Sequence, residues 1–133
     1  MILLDTSVVI ELLERRSGAP AVLAHLERFG EAEIHLSAIT MFEVEVGLFD
    51  GSPNIRARRA RWRRIVGLST YELVTDGIAY EAARIVRTTA KRGHQLGAMD
   101  ALIAATAMEF DLTLATRDRD FERVPGLKHE FWT

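Results

Sequence analysis

The chain has 133 residues, of which 48% are hydrophobic, and this length fits one domain with a core of its own. It contains no cysteine, which excludes disulfides and thiolate metal sites. Its four histidines show no ligand spacing, so a bound metal ion would rest on oxygen ligands and would be Mg²⁺ or Mn²⁺ rather than Zn²⁺. The formal net charge of −2 neither indicates nor excludes a nucleic-acid partner.

The N-terminal sequence lacks the basic and apolar regions of a signal peptide. No stretch approaches the roughly 18 apolar residues of a membrane span. We therefore expect a cytoplasmic protein with no membrane partner.

Short apolar runs alternate with amphipathic segments through the first half of the chain. In chain order the predicted elements are a strand at 2–4, a helix from the Asp-Thr-Ser sequence to residue 16, a helix closed by Gly30, a strand at 34–36, a helix that begins at Ser37 or Thr40, and a helix opened by Pro53.

The same alternation continues to the end of the chain. The predicted elements are a strand at 71–74, a helix capped by Asp76 that runs to about residue 92, a helix at 97–109, a strand at 112–116, a short turn or helix around Phe121, and an edge strand at 127–131. This order predicts an α/β fold over residues 1–133, with a central parallel sheet of four to five short strands and helices on both faces.

Two acidic residues follow predicted strands. Asp5 comes directly after the first strand, and Asp118 lies just beyond the strand at 112–116. Ligands in open α/β sheets bind outside the carboxyl ends of the strands, so this edge is the expected place for chemistry. Asp5 alone has an equally good structural explanation as the N-cap of the first helix.

Glu43 also has a structural alternative. Thr40 and Glu43 match the T-x-x-E capping box, in which the glutamate accepts a bond from the backbone N–H of the cap residue. Helical spacing places Glu43 on the same side as Gly47, which would leave room beside the carboxylate.

Asp100 lies in the sequence GAMDALIAATAM, where the eleven remaining residues are all apolar, small or threonine. A helix that is apolar all round is typically buried. A lone buried carboxylate is unfavourable unless it is paired or binds a metal ion, so a functional role is favoured over a contact with the helix dipole.

Asp118 and Asp120 lie in the sequence ATRDRDF. Polar residues after a strand often form a solvated turn, in which Arg117 and Arg119 would pair with the two acids. This pattern alone is therefore weak evidence for a site.

The four acids Asp5, Glu43, Asp100 and Asp118 fall on four different elements of the alternating fold. If they converge, their mutual repulsion is large, and a divalent cation would relieve it. Such an ion activates water and stabilises charge on a phosphoryl group. Carboxylates without another nucleophile therefore indicate hydrolysis of a phosphodiester by water.

The chain resembles the PIN-domain ribonucleases, and most closely the VapC-type toxins of toxin–antitoxin operons. The matching segments span essentially the whole chain and are LLDTS, LSAITMFEVEVG, AMDALIAATA and LATRDRDF. Carried over by motif position, the resemblance implies that Asp5, Glu43, Asp100 and Asp118 bind metal. It also implies that Thr6 or Ser7, together with Thr116, supports the site.

Two positions depart from the family pattern. Val44 replaces the usual leucine after the glutamate, which should affect only packing. The last motif is one residue shorter than in many relatives, so the fourth acid is Asp118, Asp120 or both. Asp118 is preferred because it lies nearest the strand end.

The resemblance further implies an endoribonuclease dependent on Mg²⁺ or Mn²⁺ that leaves a 5′-phosphate and a 3′-hydroxyl. It implies a homodimer, and inhibition by a small VapB-type antitoxin that enters the acidic site.

No acidic residue lies between Asp50 and Glu72, a segment that contains six arginines. In the predicted helix, one apolar stripe is formed by Ile55, Trp62, Ile65 and Val66, and another side carries Arg56, Arg59 and Arg63. These arginines form a solvated face, bind RNA phosphates, or contact the antitoxin.

Other classes of protein fit less well. A phosphatase of the haloacid-dehalogenase kind needs a second aspartate where this chain has Ser7, and a response-regulator receiver needs paired acids and a late lysine. The remaining alternative is a catalytically inactive PIN-fold module that binds RNA or protein.

Overall fold

Five short strands form one parallel sheet at the centre of the computed structural model, which describes residues 1–133. The strands are β1 (Ile2–Leu4), β2 (Ile34–Ser37), β3 (Thr70–Glu72), β4 (Thr113–Thr116) and β5 (His129–Phe131), in the order β3-β2-β1-β4-β5. Every neighbouring pair is parallel, as the crossover connections require. The predicted fold class is therefore confirmed.

Six helices cover the two faces of the sheet. They are α1 (Thr6–Leu13), α2 (Ala19–Leu26), α3 (Ala38–Leu48), α4 (Ile55–Gly67), α5 (Asp76–Lys91) and α6 (Ala98–Glu109), with a 3₁₀ turn at Arg119–Arg123. None of these helices combines the length and the apolar character that crossing a membrane requires.

The core is divided by the sheet into two halves. Leu3 faces α5 and α6, where it packs in a cluster that includes Ile103 and Phe121. Ile2 and Leu4 face the other side and pack with α1 to α4, in a cluster that includes Trp62 and Trp132. Because β1 is covered on both faces, its sequence is a continuous apolar run.

Several helix ends differ from the predicted positions. The first helix ends at Leu13 rather than at residue 16, and Arg15 then adopts a left-handed backbone conformation with φ of 48°. The second helix ends at Leu26, before Gly30. The amphipathic pattern of the sequence continues past Leu13 and Leu26, so it does not indicate where these two helices end.

The caps of two helices are hydroxyl residues. Thr75 caps α5, because its Oγ1 accepts the backbone N–H of Ile78 at 3.2 Å, so the prediction that Asp76 is the cap is wrong. Asp76 instead occupies the first turn, where a negative charge suits the helix dipole. Ser37 caps α3 by accepting the N–H of Thr40 at 3.1 Å.

Candidate active site

The acids predicted from the sequence meet at the carboxyl edge of the sheet. Partial burial raises the pKa of Asp100 to about 6, and the negative charges of Asp5, Asp118, Glu43 and Asp120 add to the rise, in that order. These five carboxylates come from the end of β1, from α3, from the first turn of α6 and from the segment after β4. The topology brings them together because β1 lies between β2 and β4.

Asp5 is the most deeply buried of these acids, with 3% of its surface exposed. Its Oδ2 accepts hydrogen bonds from Ser7 Oγ at 2.6 Å and from Thr116 Oγ1 at 2.8 Å. Burial nevertheless raises its pKa, because two hydroxyl donors do not replace the lost water. Asp5 occupies the N-cap position of α1, but its side chain makes no capping bond. Its carboxylate is thus held by hydroxyls from α1 and β4.

The same two hydroxyls also tie the segment after β4 to Asp5. Ser7 Oγ accepts the backbone N–H of Arg117 at 3.0 Å, and Thr116 Oγ1 accepts the N–H of Asp118 at 3.0 Å. Each hydroxyl therefore accepts from the backbone and donates to the Asp5 carboxylate. The position of Asp118 is coupled in this way to that of Asp5.

Glu43 accepts a hydrogen bond from Thr6 Oγ1 at 2.7 Å. The Thr6 hydroxyl also lies 3.1 Å from that of Thr40. The capping-box alternative is wrong, because Thr40 lies inside α3 and Ser37 is the cap. Glu43 is therefore oriented by a side chain from α1 rather than by its own helix.

Asp100 is half-buried and accepts no hydrogen bond from another side chain. The expectation of full burial is wrong in degree, because Asp100 lies in the first turn of α6, at the edge of the sheet. The next residue of the helix, Ala101, is already fully buried, so Asp100 lies on a less buried side of α6.

Asp118 and Asp120 differ in their surroundings. Asp118 is half-buried, and its Oδ1 accepts the backbone N–H of Asp120 at 2.9 Å. Asp120 is exposed and pairs with Arg123 at 3.1 Å. Asp118 has no cationic partner, which supports the preference for it as the fourth acid.

The alternative in which Arg117 and Arg119 pair with these acids is wrong. Arg117 donates to the carbonyl of Trp132 at 2.7 Å and lies 3.6 Å from the Glu11 carboxylate. Arg119 donates to Glu122 at 2.6 Å.

The ion pair between Glu11 and Arg117 was not predicted from the sequence. Glu11 is buried on α1, and it accepts the backbone N–H of Gly18 at 2.8 Å. A side chain at position 18 would clash with the Glu11 carboxylate, since a Cβ atom added to Gly18 would lie 2.5 Å from Glu11 Oε1. The feature of the sequence that could have indicated a buried glutamate is the position of Glu11 between Val9 and Leu12, on the apolar side of the first helix.

The acidic edge suits a hard divalent cation. The donors are carboxylates, and both side-chain hydrogen bonds to Asp5 fall on Oδ2, so no other side chain donates to its Oδ1. No three Asp, Glu or His side chains stand close enough together to ligate one ion. Mg²⁺ is commonly held by only one or two carboxylates, with water completing its shell. The residues at this edge therefore fit such an ion.

The arginine-rich helix packs as predicted through Trp62, with Ile55, Ile65 and Val66 against the same half of the core. Its arginines divide into two groups. Arg59 donates to Glu45 at 3.1 Å and lies over the ring of Phe49. Arg56 and Arg63 are exposed and form no ion pair. The three arginines singled out from the sequence are therefore not one free surface.

The sequence matches the PIN domain family over residues 2–127. It is 33% identical over 123 residues to the toxin FitB of Neisseria gonorrhoeae, covering 89% of this chain and 88% of that protein. It is 32% identical over 129 residues to ribonuclease VapC19 of Mycobacterium tuberculosis, covering 96% and 98%.

Solved structures give the same result. The crystal structure of FitAcB from Neisseria gonorrhoeae matches with a TM-score of 0.82 and 30% identity, over 97% of this chain and 96% of that chain. FitAB bound to a DNA fragment matches with a TM-score of 0.84 and 29% identity, over 100% and 96%. The chain therefore belongs to the PIN-domain family, in its VapC-type branch.

Proposed function

We propose that residues 1–133 form one nuclease domain that hydrolyses RNA phosphodiester bonds and acts as the toxin of a toxin–antitoxin pair. The observation that carries this proposal is the convergence of Asp5, Glu43, Asp100 and Asp118 on one edge of the sheet, where partial burial and then the charges of the other three acids raise the pKa of Asp100. The ribonuclease and endonuclease names of relatives support the choice of RNA.

A Mg²⁺ or Mn²⁺ ion at this edge would be held by the carboxylates of Asp5 and Asp100, with Glu43 and Asp118 beside it. When bound, the ion would supply activation of water and stabilisation of phosphoryl charge. Ser7 and Thr116 orient Asp5 by donating to its Oδ2, and Thr6 orients Glu43. These bonds hold the carboxylates in place before RNA arrives, and such preorganisation favours the transition state.

The partner in this proposal is a small VapB-type antitoxin, and the active form is a homodimer. The solved relatives include toxin–antitoxin complexes, such as the VapBC complex of Salmonella typhimurium bound to DNA. The proposed site of action is the cytoplasm, where the RNA substrate is found.

Cleavage of RNA by the purified protein tests the proposal directly. We expect cleavage with added Mn²⁺ or Mg²⁺, and none by Asp5→Asn or Asp100→Asn variants that remain folded. A wild-type protein that binds RNA or an antitoxin but never cleaves would instead be an inactive PIN-fold interaction module. Cleavage at the wild-type rate by either variant would show that the changed residue is structural.

A further inference from the structure

A polar groove lies between the second half of α5 and the segment that follows β4. It consists of two cavities of ≈ 180 and ≈ 210 Å³ that share Arg92 as a lining residue. The first is lined by Glu81, Arg84, Ile85, Thr88, Arg92 and Pro125. The second is lined by Thr89, Arg92, His94 and Arg123.

The lining of this groove is basic, although the chain as a whole has a formal net charge of −2. Its only acid is Glu81, which already pairs with Arg84 at 3.0 Å. Arg92 is exposed and has no acidic partner. The groove therefore carries positive charge that no side chain of the protein neutralises.

The position of Arg92 and His94 is set by a buried hydroxyl. Thr89 Oγ1 donates to the carbonyl of Ile85 at 2.8 Å and accepts the backbone N–H of Leu96 at 2.9 Å. The backbone N–H of His94 also bonds to the carbonyl of Thr89, at 3.1 Å. These bonds fold the chain after α5 back onto the helix, so the side chains of Arg92 and His94 line the same cavity.

The groove is linked to the acidic edge of the sheet through Arg123. Arg123, which lines the groove, pairs with Asp120 at 3.1 Å, and the charge of Asp120 acts on Asp100. On the opposite wall, the chain that carries His94 leads within six residues to Asp100 in α6. A strand lying in the groove would thus reach the carboxylates.

We propose that this groove binds the phosphodiester backbone of single-stranded RNA next to the bond that is cleaved, an inference that rests on the proposed nuclease function. Four carboxylates repel an RNA backbone, so binding needs cations beside them. Arginine suits this task because its guanidinium binds phosphate in a bidentate way. The groove has no Phe, Tyr or Trp side chain and is lined mainly by arginines, so the expected contact is with the phosphodiester backbone, which carries no sequence information.

The test compares Arg92→Ala with Lys91→Ala and Arg87→Ala. The two controls remove the same charge from exposed positions of the same helix, but neither residue lines the groove. Binding of a fluorescent single-stranded RNA is measured by anisotropy in EDTA at several KCl concentrations. The KM for RNA cleavage with Mn²⁺, measured over the same salt series, is a second readout.

We expect Arg92→Ala to flatten the slope of log affinity against log salt by about 0.7, the value for one lost phosphate contact on a single strand. The KM for cleavage should rise as binding weakens, and this rise should exceed any effect on cleavage at saturating RNA. The controls should keep the wild-type slope.

Three results would overturn the inference. An Arg92→Ala slope equal to that of the controls, with a wild type that cleaves RNA, removes the groove and leaves the nuclease proposal intact. A wild type that neither binds nor cleaves RNA removes both. An unchanged slope together with failed neutralisation by the antitoxin would assign the groove to a protein partner.

Discussion

Thr6 on α1 donates a hydrogen bond to Glu43 on α3, with 2.7 Å between Thr6 Oγ1 and Glu43 Oε1. The bond joins two helices that cover the same half of the core, through residues 37 positions apart. It explains why Glu43 faces the other acids although nothing in its own helix requires it.

Glu43→Gln should lose cleavage while the protein stays nearly as stable as the wild type. Glutamine still accepts the Thr6 hydrogen bond, but it is a poor ligand for a hard cation. RNA cleavage and urea denaturation measure the two effects. Loss of about 1 kcal/mol with activity retained would show that Glu43 serves stability alone.

The matched control is Glu45→Gln on the same helix. Glu45 accepts from Arg59 and from Trp62 Nε1, on the other side of α3. We expect a loss of stability of up to about 1 kcal/mol, because the ion pair is partly exposed, and no change in cleavage.

Asp100→Asn should change how stability depends on pH in metal-free buffer. The pKa of Asp100 is about 6 in the folded chain, against the ordinary value of 3.8. Between these two pH values Asp100 is protonated in the folded chain and ionised in the unfolded chain. The stability that this proton provides is complete below pH 3.8 and is lost as the pH rises through about 6. Asparagine does not ionise, so the stability of the variant does not fall over this pH range. The variant should therefore be more stable than the wild type at pH 7.

Urea denaturation between pH 4 and pH 7 measures the effect in both proteins. Asp111→Asn is the control that should run parallel to the wild type, because the hydrogen bond from Lys128 lowers the pKa of Asp111 below its usual 3.8, so Asp111 is ionised in both states throughout this pH range. Parallel stability curves for the wild type and Asp100→Asn would contradict the proposed crowding of acids.

Thr116→Val should both destabilise the protein and reduce cleavage. The buried Asp5 carboxylate loses a donor, and the backbone N–H of Asp118 loses its acceptor. An unsatisfied buried polar group costs about 1–3 kcal/mol. Thr106→Val is the control, since the Thr106 hydroxyl bonds only to Leu102 O within α6. If both variants behave alike, Thr116 has no particular role at the site.

Metal ions should raise the melting temperature of the wild type, and EDTA should abolish cleavage. A ligand that binds only the folded state at 100 times its Kd stabilises by about 2.7 kcal/mol. Titration with Mn²⁺ during thermal unfolding measures this effect, and Asp5→Asn should respond much less. Full cleavage in EDTA by a highly purified sample would refute the metal mechanism.

The exposed arginines of α4 permit a test of the three interpretations of that helix. Arg56→Ala combined with Arg63→Ala should leave stability within about 0.5 kcal/mol of the wild type, because neither residue forms an ion pair. A flatter salt dependence of RNA binding would indicate phosphate contacts. Normal cleavage with failed antitoxin neutralisation would indicate a protein contact, and no change in either would leave a solvated face. Arg59→Ala should instead lower stability, since Arg59 bonds to Glu45.

The sequence predicted the order of strands and helices and the edge at which the acids meet. This was possible because the helices have periodic apolar residues, and because the central strand β1, which is covered on both faces, is a continuous apolar run. The place of Asp5 and Asp118 followed from a rule about the ends of parallel strands, which needs no side-chain detail.

Details that depend on contacts between distant residues could not be predicted. Thr40 and Ser37 both suit a helix start, and only the hydrogen bond from the Thr40 N–H to Ser37 distinguishes them. The burial of Asp100 was overestimated because composition does not show that Asp100 lies on a less buried side of α6 than its neighbour Ala101. The partners of Arg117 lie in α1 and at the C-terminus, beyond any local pattern.

Both tryptophans of the chain, Trp62 and Trp132, lie in the half of the core that α1 to α4 cover. The half covered by α5 and α6 contains none. Intrinsic tryptophan emission is therefore a reporter of one side of the sheet, and loosening around α6 would leave it largely unchanged. Circular dichroism, which detects all six helices, should be recorded alongside it. Unfolding curves that coincide by both probes would show that the two halves melt as one cooperative unit.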